Sequence, residues 1–125
     1  MSHLYTEEFI MHVEKTLNVG VIENPDGLGE ARGESCGDVV RIMILVKDGR
    51  ISEIKFKVYG CAAAIAGGSL ITQMAKGMNI EEAERITAEE LIKRFGGVPE
   101  HKIKCLENVV NALRASINDF EERGQ

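Results

Sequence analysis

No tryptophan occurs in the 125 residues, and aromatic residues make up only 5% of them, so the core must be built from aliphatic and methionine side chains. No run of about 18 apolar residues occurs, which leaves nothing able to cross a bilayer as a helix and excludes a membrane role. The opening Met1 to Glu8 is polar and lacks the apolar stretch of a secretory leader, so a cytoplasmic location is expected. Basic charge is not in excess. The net charge is -5, which argues against the basic face of a nucleic-acid binder and suits steering toward basic partner surfaces. Internal repeats and low-complexity tracts are absent. Cysteine is scarce and odd in number: three thiols cannot all pair within one chain. In a reducing compartment such a set favours metal or redox chemistry over disulfides.

What is present suits one domain over residues 1–125, with a hydrophobic share of 44% beside a charged share of 28%, ordinary for a globular chain. Thr6 to Lys15 reads as a short helix capped by Thr6, with Glu7 and Glu8 at the positive end of its dipole. A turn-rich stretch follows from Leu17 to Ser35, with room for a short edge strand over Gly29 to Arg32. Val40, Ile42, Ile44 and Val46 alternate with other residues and predict a strand. Asp48-Gly49 is a hairpin signal, and Ile54, Phe56 and Val58 mark the return strand. Beyond Cys61 the period becomes helical. Ile65, Leu70, Ile71 and Met74 predict a helix that ends at Lys76-Gly77, and Gly67 and Gly68 inside it imply an unusually close neighbour. A short helical stretch from Ile80 precedes a helix capped by Thr87 and Glu90, and Ile103, Leu106, Val110, Leu113, Ile117 and Phe120 predict a long last helix. Strands followed by helices predict an α+β fold: a small three-stranded antiparallel sheet with helices on one face.

The cysteines all stand at element boundaries. Cys36-Gly37-Asp38 could aim a thiol and a carboxylate at one ion, although a loop end with a small buried thiol is the better reading of that tripeptide taken alone. Cys61 follows Tyr59-Gly60 at a strand-to-helix corner, where a helix N-terminus favours a thiolate; close packing under Ala62 to Ala64 is the plain alternative. Cys105 opens the last helix between Lys102, Lys104 and the apolar run, and nearby cations stabilise a thiolate. His101 stands four residues before Cys105 and shares its face if the helix begins early. Three thiols and a carboxylate would complete one tetrahedral site or both irons of a two-iron cluster.

With Asn18-Val19-Gly20, Cys36-Gly37-Asp38, Tyr59-Gly60-Cys61-Ala62, Ile65-Ala66, Lys102-Ile103 and Cys105 in this order, the chain resembles the IscU/NifU/SufU family of iron–sulfur cluster scaffold proteins. The resemblance spans nearly the whole sequence. It implies a platform, not an enzyme, on which a [2Fe-2S] cluster is built from iron and desulfurase-derived sulfur and passed to apo-proteins. It implies Cys36, Cys61 and Cys105 as firm ligands, Asp38 as the labile one, Zn2+ as an alternative occupant of the cluster-free protein, and Cys105 as sulfur acceptor with Lys104 supporting its thiolate. The partners it implies are a cysteine desulfurase, apo iron–sulfur recipients and a transient homodimer. Two positions depart from the best-known branch. Lys104 stands where a histidine precedes the third cysteine, leaving His101 as the reserve ligand. Val98-Pro99-Glu100-His101-Lys102 keeps only the Pro and the last Lys of the Leu-Pro-Pro-Val-Lys motif read by an Hsp70-type chaperone, so that partner is not carried over. Lys104 also resembles the zinc-dependent SufU-like sulfur acceptors, but 44 positions between Cys61 and Cys105 leave no room for their insertion. A structural zinc module is the remaining alternative.

Overall fold

The computed structural model describes residues 5–33 and 37–124. Helix α1 (Glu7–Glu14) begins where the Thr6 hydroxyl accepts the Phe9 N–H at 3.2 Å. Three antiparallel strands follow in the spatial order β1 (Gly27–Arg32), β2 (Val39–Lys47), β3 (Arg50–Tyr59). The edge strand thus starts two residues before the expected Gly29, because Gly27 and Leu28 pair with Ile44 and Met43. Asp48 and Gly49 join β2 to β3 with φ of 54° and 75°, the pair of left-handed residues that a two-residue hairpin turn requires. Helices α2 (Ala62–Ala75), α3 (Ile80–Glu84) and α4 (Ala88–Phe95) come next, and a 3-10 turn at Glu100–Lys102 leads into α5 (Ile103–Arg123). The expected cap of α4 is realised as a capping box between Thr87 and Glu90, with Gly96 in the left-handed conformation at the other end. No helix among the described residues is long and apolar enough to cross a membrane.

One face of the sheet carries the helices: α5 lies on β1 and β2, α2 on β3, and α1 packs against α2 and α4. Val40, Ile42 and Ile44 of β2 meet Ile54 and Phe56 of β3, Leu70 and Ile71 of α2, and Leu106, Val109 and Leu113 of α5 in one aliphatic core. The odd glycines of α2 are explained by this packing. A methyl group on Gly68 would fall 2.3 Å from the Phe56 ring, and one on Gly67 would fall 2.8 Å from Leu106. The helix gives up intrinsic propensity at these positions, about 1 kcal/mol each relative to alanine, so that the sheet and α5 can come close on both sides. Gly29 does the same for α5, since an added Cβ there would meet the Ser116 backbone nitrogen at 2.2 Å. The stripe of α5 that faces β1 is therefore a line of small and polar residues running from Cys105 through Asn108 and Ala112 to Ser116, all buried. It lies beside the Leu106, Val110, Leu113, Ile117 stripe that hydrophobic periodicity picks out.

His12 anchors α1. Its Nδ1 lies 2.7 Å from the Ser69 hydroxyl of α2, which also accepts the Leu17 N–H at 2.9 Å. The ring is fully buried, and its Nε2, 3.6 Å from a Glu8 carboxylate oxygen, has no hydrogen-bond partner. Burial lowers the His12 pKa from its ordinary 6.5, with Glu8 opposing the shift and Arg94 adding to it. An imidazole held neutral in the folded protein but free to protonate in the unfolded chain means that the unfolded state binds more protons, so stability rises with pH across that window. Stability is expected to be fully present above pH 6.5 and to be lost progressively as the pH falls below it. Denaturant titrations from pH 7.5 to 5 should show this slope, and the slope should be shallower in His12→Gln.

Candidate metal centre

The register of the sheet builds the site. Val39, the first residue of β2, is opposite Tyr59, the last of β3, so Asp38 just before β2 meets Gly60-Cys61 just after β3. Cys61 then serves as the N-cap residue of α2, but its side chain caps no helix amide. The Asp38 carboxylate fills the space instead, and its Oδ1 accepts the Cys61 N–H at 3.2 Å. Gly60 makes this approach possible, since a Cβ there would fall 2.2 Å from Asp38 Oδ1. Cys105, in the first turn of α5, arrives from the other side. Its Sγ lies 3.5 Å from the Cys61 Sγ, which in turn lies 3.6 Å from Asp38 Oδ2.

Asp38, Cys61 and Cys105 thus offer one oxygen and two sulfurs, all within 4.8 Å of one another. Asp38 and Cys105 are each 1% exposed, and Cys61 is half-buried. A carboxylate and two thiols from three separate elements, converging under cover, are a ligand set for a thiophilic metal ion. Cys36 lies outside the described residues. His101 is exposed in the 3-10 turn and faces an open hollow together with Glu100 and Lys104; it is not among the converging groups.

Lys104 is likewise exposed, and the nearby Lys102 is half-buried. The charge on Cys61 raises the Lys102 pKa, burial opposes this, and Cys105 and Tyr5 add smaller upward shifts. Lys102 is thus a second cation, beside the Lys104 expected from the sequence, whose charge can support a thiolate here. Asn108 belongs to none of the motifs that the sequence displays. It is buried one turn beyond Cys105, and its side-chain amide donates to the carbonyls of Ala31 and Asp38, each at 3.4 Å. Its signal was a polar residue at core-facing helical spacing from a candidate ligand.

Residues 4–125 match the family described as NifU-like N terminal domain. The chain belongs to that family. Among curated proteins it is similar to the iron–sulfur cluster assembly scaffold protein IscU 1 of Archaeoglobus fulgidus, with 44% identity over 94% of this chain and 76% of that one. It is also similar to the scaffold protein IscU of Escherichia coli, with 37% identity over 95% of each chain. Among solved structures, the N-terminal part of a nitrogen-fixing NifU-like protein from Brucella abortus superposes with a TM-score of 0.70 at 20% identity, covering 96% of each chain. A candidate SUF-system scaffold protein from Fervidobacterium islandicum gives 0.76 at 23% identity, over 94% of this chain and 99% of that one. At these identities the structural matches speak to fold, and the three-stranded sheet with its long last helix is the shared architecture.

The Gly60 contact gives a direct check on the site. Gly60→Ala should push the Asp38 carboxylate off the Cys61 amide without touching either thiol. Zinc affinity, measured by competition with a chromophoric chelator, should fall about tenfold, while the circular dichroism spectrum stays that of the parent.

Proposed function

We propose that this chain is an iron–sulfur cluster scaffold that assembles a [2Fe-2S] cluster on Cys36, Asp38, Cys61 and Cys105 and hands it to apo-proteins. The observation that carries the reading is the convergence of Asp38, Cys61 and Cys105 within 4.8 Å. Membership of the NifU-like family and the names borne by its IscU relatives support it. A scaffold must hold its cargo firmly enough to build it and loosely enough to release it. Thiolates suit cluster iron, and a carboxylate oxygen is the harder, weaker ligand. Asp38 is accordingly the group from which the cargo departs first.

Sulfur is expected to arrive from a cysteine desulfurase. The Cys105 thiolate attacks the outer sulfur of the partner's cysteine persulfide, a new S–S bond forms on Cys105, and the partner's thiolate leaves. Reduction of that sulfur to sulfide needs an electron donor outside this chain, and iron is delivered as the ferrous ion. Lys104, next to Cys105, and Lys102, whose charge interacts with Cys61 and Cys105, would support the thiolates during this sequence. The same donors also suit Zn2+, so a zinc-holding sulfur acceptor is the reading to which the cluster experiment is the alternative.

Anaerobic reconstitution with ferrous iron, cysteine and a desulfurase should give equal iron and sulfide counts and the absorption of a two-iron cluster. Tightly held zinc with no chromophore would move the assignment to the sulfur acceptor. In Asp38→Ala the cluster should persist longer and pass to apo-ferredoxin about tenfold more slowly, timed side by side with the parent. Mass spectrometry before iron is added should place the incoming sulfur chiefly on Cys105.

A further inference from the structure

We propose that Asn108 is a positioning residue for the site: its side-chain amide holds the main chain of Asp38 so that the carboxylate stays in line with the thiols of Cys61 and Cys105. The proposal rests on the reading of Asp38, Cys61 and Cys105 as one metal-holding group.

Asn108 is 5% exposed on α5, three residues beyond Cys105, so both side chains leave the same face of the helix. Its Nδ2 carries two hydrogens and has two acceptors, the Ala31 carbonyl near the end of β1 and the Asp38 carbonyl at the entry to β2, each at 3.4 Å. Because both partners are carbonyl oxygens, the nitrogen end of the amide must face them; the reversed amide would set oxygen against oxygen. Each bond alone is long and weak. Together they bridge the two sides of the connection between β1 and β2.

That connection is otherwise closed by backbone bonds. The Asp38 carbonyl also accepts the Gly33 N–H at 2.8 Å, and Gly37 N–H donates to the Gly33 carbonyl at 3.0 Å. The Asp38 carbonyl is thus shared between the loop's own closure and α5. On the other side of the same residue, the carboxylate accepts the Cys61 N–H. A closed circuit results: Cys105 and Asn108 through α5, Asn108 to the Asp38 main chain, the Asp38 carboxylate to Cys61, and Cys61 Sγ back to Cys105 Sγ at 3.5 Å. Asn108 is the link by which the helix carrying one sulfur fixes the loop carrying the oxygen. A leucine has similar bulk and would keep the helix packed, yet it has no donor for either carbonyl. Packing alone therefore does not account for an amide at this position, since burying a polar side chain is unfavourable unless its hydrogen bonds are made.

The test uses the full chain. Asn108→Leu is compared with Asn111→Leu, an exposed position on the same helix, each alone and combined with Asp38→Ala. In the metal-free proteins, amide exchange at Gly33 and Cys61 should be faster in Asn108→Leu than in the parent. The zinc dissociation constant should rise about tenfold, and the Asn111→Leu protein should match the parent in both measurements. If Asn108 acts through Asp38, its substitution should change zinc affinity less than about twofold once Asp38 is alanine, because coupled groups are not additive. Unchanged exchange and affinity in Asn108→Leu would overturn the proposal. So would an equal loss with and without Asp38, which would make Asn108 a support of α5 alone. Should the leucine variant not fold, Asn108→Ala adds no bulk and carries the same comparison. A parent protein that binds no zinc or iron would instead defeat the reading of the metal centre, while the exchange measurement on metal-free protein would still decide whether Asn108 holds the loop.

Discussion

Everything at the metal centre depends on one pairing, Val39 opposite Tyr59 in the β2–β3 ladder. Side chains in a strand alternate between faces, so a slip of one residue would turn the core face of β2 outward and carry Asp38 away from Cys61. The buried run Val40, Ile42 and Ile44 makes such a slip costly, because it would expose three side chains that are now fully buried. At the other end of the hairpin the Asp48-Gly49 turn sets Lys47 opposite Arg50, and a bulge between Leu45 and Val46 shifts the ladder into the register that reaches Val39. A ligand geometry is thus maintained by hydrophobic alternation and turn chemistry, neither of which involves a metal.

The second constraint is the depth at which α5 sits. Gly29 lets the helix backbone rest on β1, and the small-residue stripe from Cys105 to Ser116 is what rests there. Depth on the sheet sets how far Cys105 reaches toward Cys61. Lys102, in the 3-10 turn before α5, is half-buried, and Lys104, on the first turn of the helix, is exposed.

Much of this was legible in the sequence, and for identifiable reasons. The hairpin was visible because alternation and Asp-Gly are local signals, and the capping box of α4 because Thr87 and Glu90 lie within one turn. Gly67 and Gly68 announced a close neighbour, and that neighbour is now Phe56 on one side and Leu106 on the other. The convergence of Asp38, Cys61 and Cys105 was suggested by their shared position at element boundaries. What could not be read was orientation. Periodicity ranks hydrophobic residues, so it marked the apolar stripe of α5 and passed over the parallel stripe that contains Asn108. Adjacency to Cys105 marks Lys104 in the sequence, whereas the charge interaction of Lys102 with the sulfurs arises only in the fold. The start of β1 at Gly27 was hidden because a strand interrupted by glycines lacks the usual composition.

The groups at the centre come from widely spaced parts of the chain, 23 positions from Asp38 to Cys61 and 44 from Cys61 to Cys105. An ion or cluster held by all of them is a removable cross-link that closes two long loops at once. Cross-links over long loops act mainly by restricting the unfolded chain, and a ligand that binds only the folded form adds its binding energy to the stability of the whole. Loaded and empty forms would therefore differ in how readily they open, far from the centre as well as at it. A protease that never touches the site would then cut a loaded form more slowly than an empty one.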